Sequence, residues 1–99
     1  MFGLTEEELN GIKQILSKYP EVREAKIFGS RARGDYKPAS DIDMTIIGRD
    51  ISHQQLALID FELEELALPV FIDLNHYSSL RDKRFIEQID KEGISFYKA

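Results

Sequence analysis

Phe28-Gly29-Ser30-Arg31-Ala32-Arg33-Gly34, followed after a short gap by Ser40-Asp41-Ile42-Asp43-Met44-Thr45-Ile46-Ile47-Gly48, is the stretch that decides the fold. In its second half Ile42, Met44 and Ile46 alternate with Asp41, Asp43 and Thr45. That two-residue period belongs to a strand with one apolar and one polar face, and Gly48 closes it. Upstream, Val22 to Phe28 alternates well enough for another strand, with Ala25 and Ile27 set among charged neighbours, and Gly29 ends it sharply. Between the strands, Ser30 to Gly34 fits a short helical turn, and Asp35 to Ser40, containing Pro38, reads as a loop.

Outward from this stretch the pattern becomes helical. Thr5 with Glu8 forms a capping box ahead of Leu9, Ile12, Leu16 and Tyr19, which recur at helical spacing until Pro20. Leu56, Ile59, Leu63 and Leu66 mark a second helix from about Ser52 to Leu66, with Ser52 as its cap. Pro69 then separates it from a third strand, Val70 to Asn75, in which Asp73 interrupts an apolar run. Ser79 with Asp82 is expected to cap a third long helix carrying Leu80, Phe85, Ile86 and Ile89, ended by Gly93. Ile94 to Tyr97 adds a last short strand. The expected architecture is a single α/β domain over residues 1–99, with a sheet of about four strands and helices packed on one side. Strand order is left open.

Composition narrows the function. At 99 residues a folded chain buries only ~60–65% of the surface its unfolded form exposes, so a reaction needing a second substrate-binding domain would recruit another protein or subunit. Hydrophobic residues at 42% and charged ones at 31% are the balance of a globular protein. Glu6, Glu7 and Glu8 stand where a signal peptide would be basic and then apolar, and no apolar run approaches membrane-spanning length. Without cysteine there is neither disulfide nor thiolate ligand, so a cytoplasmic location and oxygen-ligated hard metals are expected. The net charge of −5 argues against gripping a long nucleic acid directly. A small phosphate ligand needs only a local positive site, and Arg23, Lys26, Arg31, Arg33 and Lys37 crowd into one segment.

The chemistry sits at the junctions of these elements. After a strand, Gly29 allows close backbone approach to a ligand, Ser30 adds a hydroxyl donor, and the free N–H groups at a helix start favour an anion such as a triphosphate. Asp41 and Asp43 must share one face of their strand, so both can serve one hard cation or bridge two. Like charges about 4 Å apart repel by ~1 kcal/mol in water and ~4 kcal/mol at an effective dielectric of 20. If Asp73 joins the pair the repulsion grows, and the cluster must bind a cation or take up a proton. The competing reading is structural: Asp41 caps a turn, Asp43 pairs with an arginine, and Asp73 faces water at a sheet edge.

Taken together, Gly29-Ser30, ten intervening residues including Ala32-Arg33-Gly34, and then Asp41-Ile42-Asp43 resemble the signature of the DNA polymerase β-like nucleotidyltransferase superfamily, in its minimal nucleotidyltransferase branch. Asp73, in Phe71-Ile72-Asp73-Leu74, stands where that family places its third acid, and Met44 replaces a common leucine. The resemblance implies a polymerase β-like palm fold with a mixed sheet. It implies that Gly29 and Ser30 hold the β- and γ-phosphates of ATP, and that Asp41, Asp43 and Asp73 bind one or two Mg²⁺. Asp73 would also accept the proton of the attacking hydroxyl. Arg31 and Arg33 are candidates for the triphosphate, each equally readable as a surface charge.

Minimal proteins of this kind resemble the antitoxin half of toxin–antitoxin pairs whose partner is an all-helical HEPN ribonuclease. The implied activity is transfer of AMP from ATP to a tyrosine of that partner, in a homo- or hetero-oligomer. Two alternatives remain: steric neutralisation of a HEPN protein with a vestigial nucleotide site, and transfer to a small molecule. His53 and His76 lack zinc-ligand neighbours and are expected to be exposed or helix-capping. Tyr36 and Lys37 are expected to be solvated, and Phe61, Phe71 and Phe85 to be core or subunit-contact residues.

Overall fold

The computed structural model describes residues 1–99. Helix α1 (Glu6–Ser17), strand β1 (Glu24–Phe28), the short helix α2 (Ser30–Arg33) and strand β2 (Ile42–Ile47) come first. Helix α3 (His53–Glu64), strand β3 (Ile72–His76), a 3₁₀ turn (Tyr77–Ser79), helix α4 (Lys83–Glu92) and strand β4 (Ile94–Lys98) follow. The four strands form one mixed sheet in the order β3-β2-β1-β4. β1 is antiparallel to both β2 and β4, while β2 and β3 are parallel, because α3 carries the chain back across the sheet between them, as a parallel pair requires.

The helix starts follow from local chemistry. At α1 the expected capping box is present: Glu8 N–H donates to the Thr5 hydroxyl (3.0 Å) and Thr5 N–H to the Glu8 carboxylate (2.8 Å). Ser52 caps α3 by accepting from Gln55 N–H at 3.0 Å. At α4 the cap is Asp82 alone, whose Oδ1 accepts from the Arg84 and Phe85 amides. Ser79, expected to share that role, instead ends the 3₁₀ turn and donates to the His76 carbonyl. A carboxylate also suits the positive end of the helix dipole better than a hydroxyl does.

Strand alternation sorts the side chains. Ala25 and Ile27 of β1 lie beside Ile46 and Met44 of β2, and this apolar face packs under Leu9, Ile12 and Leu16 of α1 and Ile59 and Leu63 of α3. Each fully buried aliphatic side chain contributes about 1.5–3 kcal/mol, so this layer carries most of the fold. Helices α1 and α3 thus share one side of the sheet, whereas α4 departs from the expected one-sided packing. The opposite face presents Lys26 and Phe28, and there α4 adds its own contact: Phe85 meets Phe28 edge-to-face with ring centroids 5.6 Å apart, next to buried Ile89. Phe85 is therefore a packing residue, whereas Phe61 and Phe71 are exposed and outside the core.

His76 corrects an expectation. It is buried, and its Nε2 pairs with the Gly48 carbonyl at 2.9 Å, tying the end of β3 to the turn after β2. His53 is exposed in the first turn of α3.

Candidate functional site

The sheet face away from the main core gathers the expected residues. Phe28 stands opposite Asp43, and Asp43 stands in register with Asp73 on the neighbouring parallel strand, a separation of about 4.8 Å between strands. Asp41 lies just before β2, with Ile42 between it and Asp43 turned into the core. Asp43 is half-buried, while Asp41 and Asp73 face water. None of the three makes an ion pair, the cation-paired acids being Glu62, Asp35 and Glu92.

Gly29 brings the two halves of the motif together. It leaves β1 at φ 73°, ψ −153°, a region open almost only to glycine, and a Cβ at this position would lie 2.3 Å from Asp43 Oδ2. The backbone thus runs directly against the carboxylate. Ser30 follows as the first residue of α2, where the leading amides of a helix have no acceptor within it.

Burial raises the Asp43 carboxyl above the ordinary carboxylate range, with the charges of Asp73 and Asp41 adding to the shift and Arg33 opposing it. No three His, Cys, Asp or Glu side chains are grouped closely enough to hold an ion as they stand. Uncompensated carboxylates push apart. The donor set nevertheless suits a hard divalent cation: three carboxylates and no nitrogen or sulfur, one of them desolvated and electrostatically unfavourable without a counter-charge.

The two arginines of the motif part company. Arg31 is 5% exposed and its guanidinium is committed to backbone carbonyls, donating to Ser40 (2.9 Å), Phe2 (2.8 Å) and Pro38 (3.3 Å) while stacking 4.8 Å above the Tyr36 ring. It holds the loop between the two motif halves, which corrects its candidacy for the triphosphate and the expectation that Tyr36 is simply solvated. Lys37 is exposed as expected. Arg33 is exposed and pairs with Glu92 at 2.7 Å and Asp35 at 3.3 Å, within electrostatic reach of Asp43.

Sequence reading missed two features of this face. Glu92, the last residue of α4, reaches Arg33 from fifty-nine positions away and also raises Asp43; nothing local in the sequence marks it. Thr45, wholly buried, donates to Asn75 Oδ1 at 2.5 Å, cross-linking β2 and β3 two residues beyond the aspartates. The alternation placed both on the polar faces of their strands, but only the parallel register makes them partners.

A family model described as polymerase beta, nucleotidyltransferase matches residues 10–99. The chain belongs to that family. Among solved structures, this nucleotidyltransferase is similar to a toxin–antitoxin crystallised with AMP-PNP, at TM-score 0.76 and 22% identity over 92% of this chain and 73% of that one. It is similar to the structure of a tri-AMPylated Shewanella oneidensis HEPN toxin in complex with MNT antitoxin, at TM-score 0.72 and 19% identity over 97% and 74%. A structure described as a minimal nucleotidyltransferase gives TM-score 0.67 and 26% identity over 89% and 88%. No match to this nucleotidyltransferase is found among curated proteins. No helix of the nucleotidyltransferase is long and apolar enough to cross a membrane.

Proposed function

We propose that this chain is a Mg²⁺-dependent adenylyltransferase and the antitoxin of a HEPN ribonuclease, transferring AMP from ATP to a tyrosine of that partner. The observation that carries the reading is the contact between Gly29 and Asp43, with Asp73 in register beside them, in a member of the nucleotidyltransferase family. The solved relatives with AMP-PNP and with an AMPylated HEPN toxin supply the choice of nucleotide and acceptor.

In this reading Gly29 lets the backbone pass against the β- and γ-phosphates, and Ser30 offers its hydroxyl and amide to them. Arg33 adds a positive charge at the rim. Asp41, Asp43 and Asp73 would hold one or two Mg²⁺, which neutralise the triphosphate and polarise its α-phosphorus when bound. The tyrosine oxygen attacks that phosphorus, the bond to pyrophosphate breaks, and the phenolic proton passes to Asp73. Asp73 suits this role because it stands at the sheet edge in water, where an acceptor can reach it. Positioning and charge compensation provide most of the rate.

The test is to incubate the chain with ATP, Mg²⁺ and the HEPN-type ribonuclease of the same genome, then to search its tyrosines for added AMP by mass spectrometry. Transfer that disappears in Asp41→Asn/Asp43→Asn together with neutralisation supports the reading. Neutralisation that survives the double substitution replaces it with steric binding.

A further inference from the structure

The side of the molecule bearing α3 and β3 differs from the rest in charge and in apolarity. Between Arg49 and Arg81 there is no lysine or arginine, against the carboxylates of Asp50, Asp60, Glu62, Glu64, Glu65 and Asp73. Only Glu62 is paired, with Lys18 and Tyr19. Helix α3 has no basic residue in its last turn, so Glu64 and Glu65 add to the negative end of its dipole, an arrangement unfavourable to the isolated fold.

The same helix is apolar on both sides. Ile59 and Leu63 face the core, while Leu58 and Phe61, three residues apart on the outside, are 52% and 59% exposed. Across from the end of α3, Phe71 is 77% exposed and lines a cavity of about 200 Å³ with Leu63, Glu64, Leu68, Val70 and Ile72. Phe71 lies two residues before Asp73 on the strand at the sheet edge.

We infer that the α3–β3 face, with Leu58, Phe61 and Phe71 as its anchors and Asp60, Glu64 and Glu65 as its rim, docks a cationic, apolar surface of the acceptor protein. The inference rests on the function proposed above and names the surface that function needs. Exposed aromatic anchors inside a charged rim are the anatomy of a protein interface. The charge selects the occupant. A nucleic acid or an anionic membrane is repelled, and a second copy would set acid against acid. The position beside Asp73 explains how a docked protein presents its hydroxyl to the proton acceptor.

The experiment measures binding of the HEPN-type ribonuclease by calorimetry, with Leu58→Glu/Phe61→Glu and Glu64→Lys/Glu65→Lys compared with wild type. Circular dichroism checks that the variants fold. Thermal stabilisation by Mg²⁺ and ATP monitors the nucleotide site, which these positions do not touch. Expected are an affinity for the ribonuclease that falls with salt, a loss of at least ~10-fold in each variant, and unchanged nucleotide stabilisation. Variants that bind and modify the ribonuclease as wild type does overturn the docking face and leave the proposed function standing. A wild-type dimer that Phe61→Glu dissolves assigns the face to a second copy and overturns the inference. A wild type that is stabilised by nucleotide yet neither binds nor modifies the ribonuclease overturns the proposed acceptor, and the docking face with it.

Discussion

Replacing Gly29 by alanine tests the central contact of the site. The new methyl meets two separate obstacles. The backbone at φ 73°, ψ −153° lies in a region that costs a non-glycine residue about 1–3 kcal/mol. The Cβ would also fall 2.3 Å from Asp43 Oδ2 and 3.2 Å from its Cγ, so the carboxylate must swing away, at about 0.5–1.5 kcal/mol if it leaves its rotamer. The sum is about 3 kcal/mol, which for a domain of this size lowers Tm by roughly 12–24 °C. Denaturation of wild type, Gly29→Ala, Asp43→Ala and the double variant separates the two parts. In the Asp43→Ala background the closest remaining atom of residue 43 is its Cβ, at 3.5 Å, an ordinary contact, so the alanine should cost less there by about 0.5–1.5 kcal/mol. Gly29→Ala should also lose its stabilisation by Mg²⁺ and ATP, because Asp43 has been displaced. Gly34→Ala is the control: φ is 94° with nothing within 4 Å, so it should cost only about 1–2 kcal/mol of backbone strain and keep the nucleotide response. A Gly29→Ala protein as stable as wild type, or one that loses the same stability with and without the Asp43 carboxylate, would refute the reasoning.

Asp43→Asn should stabilise the metal-free protein at neutral pH. The folded carboxyl is raised by burial and by Asp73 and Asp41, so its contribution is present below the unfolded value and is lost as pH rises through the folded one. The advantage of the variant should therefore shrink as pH falls towards the ordinary carboxylate range, as pH-dependent melting would record. With Mg²⁺ and ATP at ten times their Kd the order reverses, since wild type gains ~1.4 kcal/mol by mass action, and chelation should remove that gain. Arg31→Gln should destabilise by about 3 kcal/mol because it strips a buried charged donor from carbonyls of two separate segments. Arg33→Gln should leave stability nearly unchanged, because exposed ion pairs contribute little, while weakening ATP binding in calorimetry; unchanged affinity would remove Arg33 from the nucleotide site.

The order and type of the long elements were legible because each rests on a local signal: a capping box at Thr5, a cap at Ser52, and alternation in Ile42-Asp43-Met44-Thr45-Ile46. The faces of the strands were legible for the same reason, so Asp41 and Asp43 could be placed together. What is not local was not legible. The register that sets Asp43 beside Asp73 and Thr45 beside Asn75 comes from the parallel pairing of β2 and β3, which α3 enforces through packing on the other face of the sheet. Arg31 and Arg33, two residues apart in one motif, have opposite fates because a four-residue helix turns one towards Phe2 and the loop carbonyls and the other towards solvent. His76 reads as an ordinary polar residue until the turn at Gly48 closes over it.

The two faces of the sheet divide the work of a short chain. One is spent on the core, where α1 and α3 cover it. The other combines a small aromatic contact from α4 with a cluster of carboxylates that is unfavourable in the free protein. A stable fold gains nothing from a half-buried aspartate lifted by two neighbouring acids, nor from an unpaired acidic helix end beside exposed Phe61 and Phe71. In the proposed function both features would turn favourable on binding: the first when cations and a triphosphate neutralise the acids, the second when a cationic apolar surface covers α3 and β3. They meet at Asp73, which belongs to the acid cluster and lies on the edge strand. The free chain therefore carries two unsatisfied surfaces that share a border, and a nucleotide on one and a protein on the other would be brought into contact at that residue.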